Sequence, residues 1–476
     1  MIQREKDNHT NITIDLAKNS PRKLRPRIKK LYKKENSDQI NNIIPSVISA
    51  LIDTQDLETI ESVLPQILEI VSANAGIQAS YNLLSRLEVM LHFRKPSIGL
   101  YDHTFHIIGG GQKYGCTIAY ALQDEFDVTL IANRNITHQD IKSWYNLDLD
   151  QCKIKVLAIP FFEEKEIQHI DPLAVSARDE NPFHLISRES GNYDIFINNS
   201  MLEMVYPLSV VSVLTCHFPE RRRSDYFYAD KYTYVVYNSQ YTAEWIRKKW
   251  KMSATTHIYP PVDLHESDGS PKKENIILSV ARFESGGSKQ QLEMAKAFVG
   301  LSQANPEVLK NWRLILAGGS VSNNPYLQEI EKYLASEHSE DIDLRVNISL
   351  EELKSLYERA RIFWHFCGLY QTDPSLVEHF GMSIVEAMQN WCVPIVFDGG
   401  GQREIVEQGV SGYRFSSLKE LKKRTLEIMN DDVLWEDLSR QAHAQGMIFT
   451  KEAFVAKVKG LFEQIKSTYF VLPSNS

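Results

Sequence analysis

Cysteine is scarce. The five in 476 residues, Cys116, Cys152, Cys216, Cys367 and Cys392, form neither a C-x-x-C nor a metal-like pair, which argues against a disulfide framework or a zinc site and suits a reducing cytosol. Long apolar runs are missing too. No stretch approaches the roughly eighteen residues of a spanning helix, and the first ten residues, MIQREKDNHT, lack the apolar core of a secretory signal. A cytoplasmic chain is expected, soluble or peripheral at the cytoplasmic membrane face. Positive charge is not in excess: a net charge of −8 leaves no broad positive potential with which to displace counterions, so no nucleic-acid partner is expected. The 22 glycines and 18 prolines are too few for a collagen-like or low-complexity chain. No Asp-x-Asp or His/Asp cluster sits where it would hold a metal; the DID at 341–343 begins a strand after an acidic loop and reads as solvated.

What is present is ordinary for a folded protein, 43% hydrophobic and 24% charged, and the length suggests two or three domains. The charge is uneven: eight Lys or Arg fall between Arg22 and Lys34 without an acid among them. Residues 1 to about 40 are polar, with Pro21 and Pro26 breaking any helix, and read as a tail. The basic run is suited to docking on anionic lipid, and equally to a solvated tail. From Ile43 to Leu91 the spacing turns helical, with Leu57, Ile60, Leu64, Ile67, Leu68 and Val71 on one face, and Pro45 and Pro65 dividing the segment into short helices. Residues 1–95 are therefore assigned to a basic tail and a helical extension.

At Ser97 the pattern becomes strand, glycine turn, helix, strand: SIGLY, then Gly109-Gly110-Gly111, a helical stretch to about Leu122, and DVTLIA. That is a βαβ opening. IKVLAI, DIFIN, VVSVLT and YVVYN come next as strands, which defines an α/β domain over 96–265. The segment YPPVDLHESDGSPKKEN reads as a linker, and a second alternation begins with NIILSVA and continues through WRLILAG, DIDLRV, RIFWHF and VPIVF. It defines a second domain over 266–450, and a final helix in 451–476 is expected to pack back on the first. Two tandem doubly wound Rossmann-like domains are implied. Ligands of such sheets bind beyond the carboxyl ends of the strands, so function is expected in the cleft between them.

Three features carry chemistry. The loop HIIGGGQKYG lets backbone N–H groups approach an anion, although a plain tight turn explains three glycines as well and the full G-x-G-x-x-G is not met. Arg282 follows the strand NIILSVA, and Lys289 is expected to open the next helix, with Gly286 and Gly287 between them. Two cations there suit a diphosphate, or are simply solvated. In FCGLYQTDPSLVEHFGMSIVEAMQNWCVPIVFDGGGQREIVEQGVSGY, Glu378 lies in a loop, Gly381 turns the chain, and a helix starting near Met382 or Ser383 carries Glu386 one turn in. Its free N–H groups would face an anion while the two carboxylates accept sugar hydroxyls.

The stretch from Glu378 through HFGMSIV to Glu386 resembles the E-x7-E motif of retaining nucleotide-sugar glycosyltransferases of family 4. CHFP at 216–219, NSQYTAEWI at 238–246, IYPPVD at 258–263, SVARFESGGSK at 279–289, LILAGG at 314–319 and IVFDGGGQREIV at 395–406 extend the likeness over most of 97–465. The resemblance implies a GT-B fold and a metal-independent hexosyltransferase without a cofactor. It would move sugar from a nucleoside-diphosphate sugar to a glycan, a lipid-linked acceptor or another hydroxyl, by a front-face or a covalent route. It also implies Arg282 and Lys289 on the diphosphate and Glu386 on the ribose. Glu378, with the backbone at Phe380–Gly381, would hold the sugar, Met382 and Ser383 at the helix start would also bind the donor, and Gly109–Gly111 would approach across the cleft. His217 matches a position near the donor sugar, or is a hydrogen-bonded structural histidine. His379, Ala281 and Gln112 depart from the pattern, and His379 bears on the sugar pocket. The alternatives are a non-catalytic nucleotide-sugar scaffold, for which the 95-residue extension speaks, and a nucleotide-sugar hydrolase or phosphorylase-like relative.

Overall fold

The computed structural model describes residues 57–90, 94–165, 180–219, 226–263, 272–284 and 286–471, with Arg27, Lys30 and Ile44 as isolated positions. The basic run Arg22–Lys34 as a whole, Pro45, and most of the linker before Lys272 lie outside the described residues.

The first domain is a seven-stranded sheet of β1 (Ser97–Asp102), β2 (Asp127–Ala132), β3 (Lys153–Val156), β4 (Ile195–Asn198), β5 (Val211–Cys216), β6 (Tyr234–Tyr237) and β7 (Thr256–His257). Its order is β3-β2-β1-β4-β5-β6-β7, with every pairing parallel. The second is a six-stranded sheet of β8 (Glu274–Val280), β9 (Arg313–Gly318), β10 (Ile342–Val346), β11 (Ala360–His365), β12 (Val393–Phe397) and β13 (Tyr413–Phe415). It has the order β10-β9-β8-β11-β12-β13, again all parallel. In each sheet the strand order reverses direction once, so each has a switch point, between β1 and β4 and between β8 and β11.

Parallel strands with helices on both faces are buried on both sides, which is why IFIN and VSVLTC read as continuous apolar runs. Residues such as Leu100, Leu130, Ile197 and Val213 fill one side of the first sheet, and Tyr101, Ile131, Phe196 and Leu214 the other. Each such side chain contributes about 1.5–3 kcal/mol by leaving water. β7 and β13, two and three residues long, are edge strands too short to carry a sequence pattern.

The C-terminal helix Lys451–Tyr469 returns to the first domain. Phe454, Val458, Leu461, Phe462 and Ile465 lie in the same apolar cluster as Ile98 and Leu130, and Phe454 meets Tyr114 edge to face at 4.8 Å. This helix therefore backs the one that begins at the glycine loop.

In the extension, the expectation of short helices divided at Pro65 is corrected. Pro65 lies inside one helix, Leu57–Ala75. It is exposed, so water can take the carbonyl that its missing N–H leaves free, while Ile67, Ile70 and Val71 on the other side are buried. The next helix, Ile77–Met90, docks on the first domain. Ser85 donates to Asp194 Oδ1 at 2.6 Å, Asn82 to the Leu208 carbonyl at 3.0 Å, and Arg86 to the carbonyl of Tyr469 at 3.0 Å. The first of these bonds lies at the amino end of β4, the end of the strand opposite Asn199 and the glycine loop. Among the described residues no helix is long and apolar enough to cross a membrane.

Candidate active site

The glycine loop is built from the switch point of the first sheet. Asp102, the last residue of β1, accepts from the N–H and hydroxyl of Thr104 at 2.8 and 2.7 Å and from Asn199 Nδ2 at 2.7 Å. Asn199, which succeeds β4, also donates to the Gly111 carbonyl at 2.9 Å. The two strand ends thus fix the start of the helix Gly110–Leu122. Gly110 has a specific reason to lack a side chain: a Cβ there would stand 2.8 Å from Met382 Sδ in the other domain.

His217, just beyond β5, packs edge to face on Tyr114 at 5.1 Å, and its Nε2 has no hydrogen-bond partner. Burial pushes its ring down to about 4, so it is neutral near pH 7. A Cβ on Gly111 would lie 3.5 Å from that nitrogen, so the histidine flanks the glycine loop.

In the second domain Lys289 and Glu378 meet. Lys289 Nζ donates to Glu378 Oε2 at 2.9 Å, the two side chains retaining 22% and 17% of their exposure. Burial alone would raise the carboxyl, but the ammonium, with His365, holds it well below the usual carboxylate range. Burial likewise opposes the charge on Lys289, and Glu378 overrides it and raises the ammonium. Lys289 does not open a helix, as the sequence suggests. The next helix is Gln291–Ala304 with Gln290 as its N-cap in the left-handed region, so Lys289 hangs from the preceding turn. Arg282 is not brought to this pair. It is 62% exposed and pairs with Glu284 at 2.9 Å.

Glu378 is set by its backbone. Its carbonyl accepts from Gly401 N at 2.8 Å, and a Cβ on Gly400 would collide with the same carbonyl. The glycine run 399–401 therefore lets the loop after β12 close on residues 378–380. Gly381, at φ 118°, caps the helix Met382–Gln389, whose start has no side-chain cap. Its first residue, Met382, reaches the glycine loop at Gly110 with its sulfur. Phe380 is buried in the apolar cluster with Ile384 and Val385, so it anchors the turn. Glu386 is one turn into the helix and accepts from Tyr357 Oη at 2.8 Å. Burial raises its carboxyl, opposed by Lys113 from the glycine-loop helix and by Tyr357.

His379, one of the three residues that depart from the resembled pattern, stacks on Phe218 of the first domain at 4.1 Å between ring centroids and 4° between planes. Ser239 Oγ donates to its carbonyl at 2.6 Å. Beside it, Glu404 accepts from the N–H groups of Gln240 and Tyr241 at 2.9 and 3.0 Å, which begin a helix of the first domain, and from Tyr259 Oη at 3.1 Å. These contacts hold the two domains together next to the cleft. Sequence reasoning missed His365, Gln402, Tyr357, Lys113 and Glu404, since each gains its meaning from a partner in another segment. Among the described residues no group of three or more His, Cys, Asp or Glu is placed to hold a metal.

Two Rossmann sheets with their switch points facing one cleft define the GT-B fold. Solved structures agree: a cyanobacterial protein, Anabaena Alr3699/HepE, solved with UDP and glucose, superposes with a TM-score of 0.58 at 15% identity, over 78% of this chain and 100% of that one. Sucrose-phosphate synthase from Thermosynechococcus elongatus does so at 0.58 and 17%, over 79% and 100%. Residues 263–445, most of the second domain, match the family model of glycosyl transferases group 1. A GDP-Man:Man(3)GlcNAc(2)-PP-Dol alpha-1,2-mannosyltransferase of Dictyostelium discoideum is 25% identical over 236 residues, 46% of this chain and 45% of that protein. Its Xenopus laevis counterpart is 31% identical over 178 residues, 36% and 35%, and the Alpha-1,3/1,6-mannosyltransferase ALG2 of Rhizomucor pusillus 26% over 281 residues, 48% and 61%. The chain spans less than half the length of the first two of these relatives.

Proposed function

We propose that the chain transfers a hexosyl group from a nucleoside-diphosphate sugar to a hydroxyl of a glycan or lipid-linked acceptor, with retention and without a metal. The observation that carries this reading is the convergence, at one point of the cleft, of the Lys289–Glu378 pair, the uncapped helix start at Met382 and the glycine loop at Gly110. Breaking an anomeric C–O bond leaves negative charge on the diphosphate. Lys289, the helix N–H groups and Arg282 swinging in from the rim would stabilise it without a cation. Glu378 would hold the sugar as positive charge develops at the anomeric carbon, Glu386 the ribose, and neutral His217 would donate to or accept from the sugar across the cleft.

GDP-mannose is the first donor to test, because the curated relatives named above include GDP-mannose enzymes. Their acceptors are named as dolichol-linked, which favours a lipid-linked acceptor reached at the cytoplasmic membrane face, with Arg22–Lys34 as the peripheral contact. Release of nucleoside diphosphate from GDP-mannose, UDP-glucose and ADP-glucose, with and without a polyprenyl-linked oligosaccharide, tests the proposal. No release from any donor would overturn it.

A further inference from the structure

Glu378 Oε2 receives a second contact, from His365 Nε2 at 3.3 Å. His365 ends β11, the strand beside β8 at the switch point, and its side chain is 3% exposed. Its other ring nitrogen, Nδ1, stands 3.1 Å from Gln402 Oε1. The buried Gln402 amide cannot be turned round. Its Nε2 already donates to the carbonyls of Cys367 at 2.9 Å and Gly399 at 3.3 Å, and a flip would set its oxygen against both. Gln402 Oε1 is therefore an acceptor, and Nδ1 must carry a hydrogen. A neutral ring with its hydrogen on Nδ1 would aim the Nε2 lone pair at a carboxylate. A hydrogen on Nε2 as well turns that repulsion into a charge-assisted contact.

We propose that His365 is a positioning residue, an imidazolium whose Nδ1 hydrogen is held by Gln402 and whose Nε2 hydrogen is held by Glu378, and that with Lys289 it pins Glu378 Oε2 and so presents Oε1 to the donor sugar. Both cations bind the same carboxylate oxygen, and two donors on one oxygen fix the rotation of the carboxylate about its last bond. The ionisable neighbours are Glu378, Lys289 and, against Lys289, Cys367 at 3.6 Å, with His379 next along the chain. The thiol is neutral and so is the His379 ring, pushed down to about 4 mainly by burial; Glu284 adds a weaker attraction on Lys289, and Glu378 is the carboxylate that both Lys289 and His365 contact. The kinetic part of the proposal rests on the transferase reading above; the protonation state does not.

Two experiments on the full chain test it. Ring-15N histidine spectra at pH 7.5 without donor, with His365 identified by the signals lost in His365→Gln, should show both nitrogens protonated. In Glu378→Gln the Nε2 hydrogen should be lost. A wild-type ring with one bare nitrogen would overturn the proposal, and so would a ring unchanged in Glu378→Gln. In donor kinetics His365→Phe should lower kcat by about tenfold or more with the donor KM changed less than about threefold, since misaiming a reacting group acts on the chemical step. His365→Gln, which keeps an N–H donor, should recover most of it. A loss confined to KM, or no recovery with glutamine when both variants fold as judged by circular dichroism, would also overturn it. A chain whose spectra show the imidazolium but which releases nucleotide from no donor refutes the transferase reading and leaves the Glu378 clamp standing.

Discussion

Replacing Lys289 with methionine keeps most of the side-chain volume and removes the charge that Glu378 depends on. Two unit charges 2.9 Å apart attract by about 6 kcal/mol at the effective dielectric of 20 that suits protein sites. Much of that is offset because the ammonium is no longer desolvated. Breaking a fully buried pair by deleting one partner costs about 3–5 kcal/mol. Here both groups keep some exposure and His365 still faces the carboxylate, so a loss of about 2–3 kcal/mol is expected. The pH dependence has a definite sign. In the wild type the Glu378 carboxyl lies well below its usual range, so its contribution is complete above the unfolded value of about 4.3 and is lost as the pH falls through the lower folded value. In Lys289→Met burial is the leading influence and pushes the carboxyl up, so the variant regains stability on acidification as Glu378 takes a proton. The gap between the two proteins should therefore be largest at pH 7.5 and smaller at pH 5. Urea unfolding followed by tryptophan fluorescence measures it. Adding Glu378→Gln to Lys289→Met should make the double variant more stable at pH 7.5 than Lys289→Met alone, since the unpaired buried carboxylate is then gone. A loss below about 0.5 kcal/mol, or one of equal size at both pH values, would show that the pair does not hold Glu378 ionised in the fold.

Glu378→Gln should act chiefly on turnover, because contacts that strengthen as the bond breaks are read in kcat, whereas Glu386→Gln should raise the donor KM; steady-state kinetics at saturating acceptor would show a reversed assignment as the opposite split. Arg282→Ala should leave stability within about 1 kcal/mol, as for an exposed pair, yet weaken donor binding by about 1.5–3 kcal/mol if the guanidinium reaches the diphosphate; calorimetry with unchanged affinity would remove it from the site. Gly110→Ala meets only the flexible end of Met382 and should be mild. Gly110→Leu should cost about tenfold or more in kcat/KM by pushing the loop off the helix start, and wild-type kinetics in the leucine variant would refute the close approach. Transfer should persist in excess EDTA; abolition with rescue by magnesium or manganese would mean that a cation supplies the leaving-group stabilisation assigned to side chains.

The strands were legible because buried parallel strands are short apolar runs, and the order of SIGLY, DVTLIA, NIILSVA and RIFWHF along the chain reproduces the alternation of a doubly wound fold. The motif from Glu378 to Glu386 could be read for the same reason: its spacing is local, one loop and one helical turn. Pro65 misled because a proline's cost depends on whether its face is wet, which spacing does not report. Arg282 and Lys289 look equivalent in sequence. One is exposed beside Glu284 and the other bonds Glu378 from a neighbouring segment, a difference that their spacing along the chain does not report.

By itself the sequence determined the features that neighbours along the chain dictate: two α/β domains, the glycine turn after the first strand, and the carboxylates eight residues apart. Only the tertiary structure decided which groups share charge. Lys289 lies 89 residues from Glu378 and Gln402 lies 37 from His365, and His379 finds Phe218 in another domain. Coulomb attraction and desolvation act over a few ångströms of space, regardless of distance along the chain. The protonation of Glu378 is therefore set by where β8, β11 and β12 end in the folded sheet.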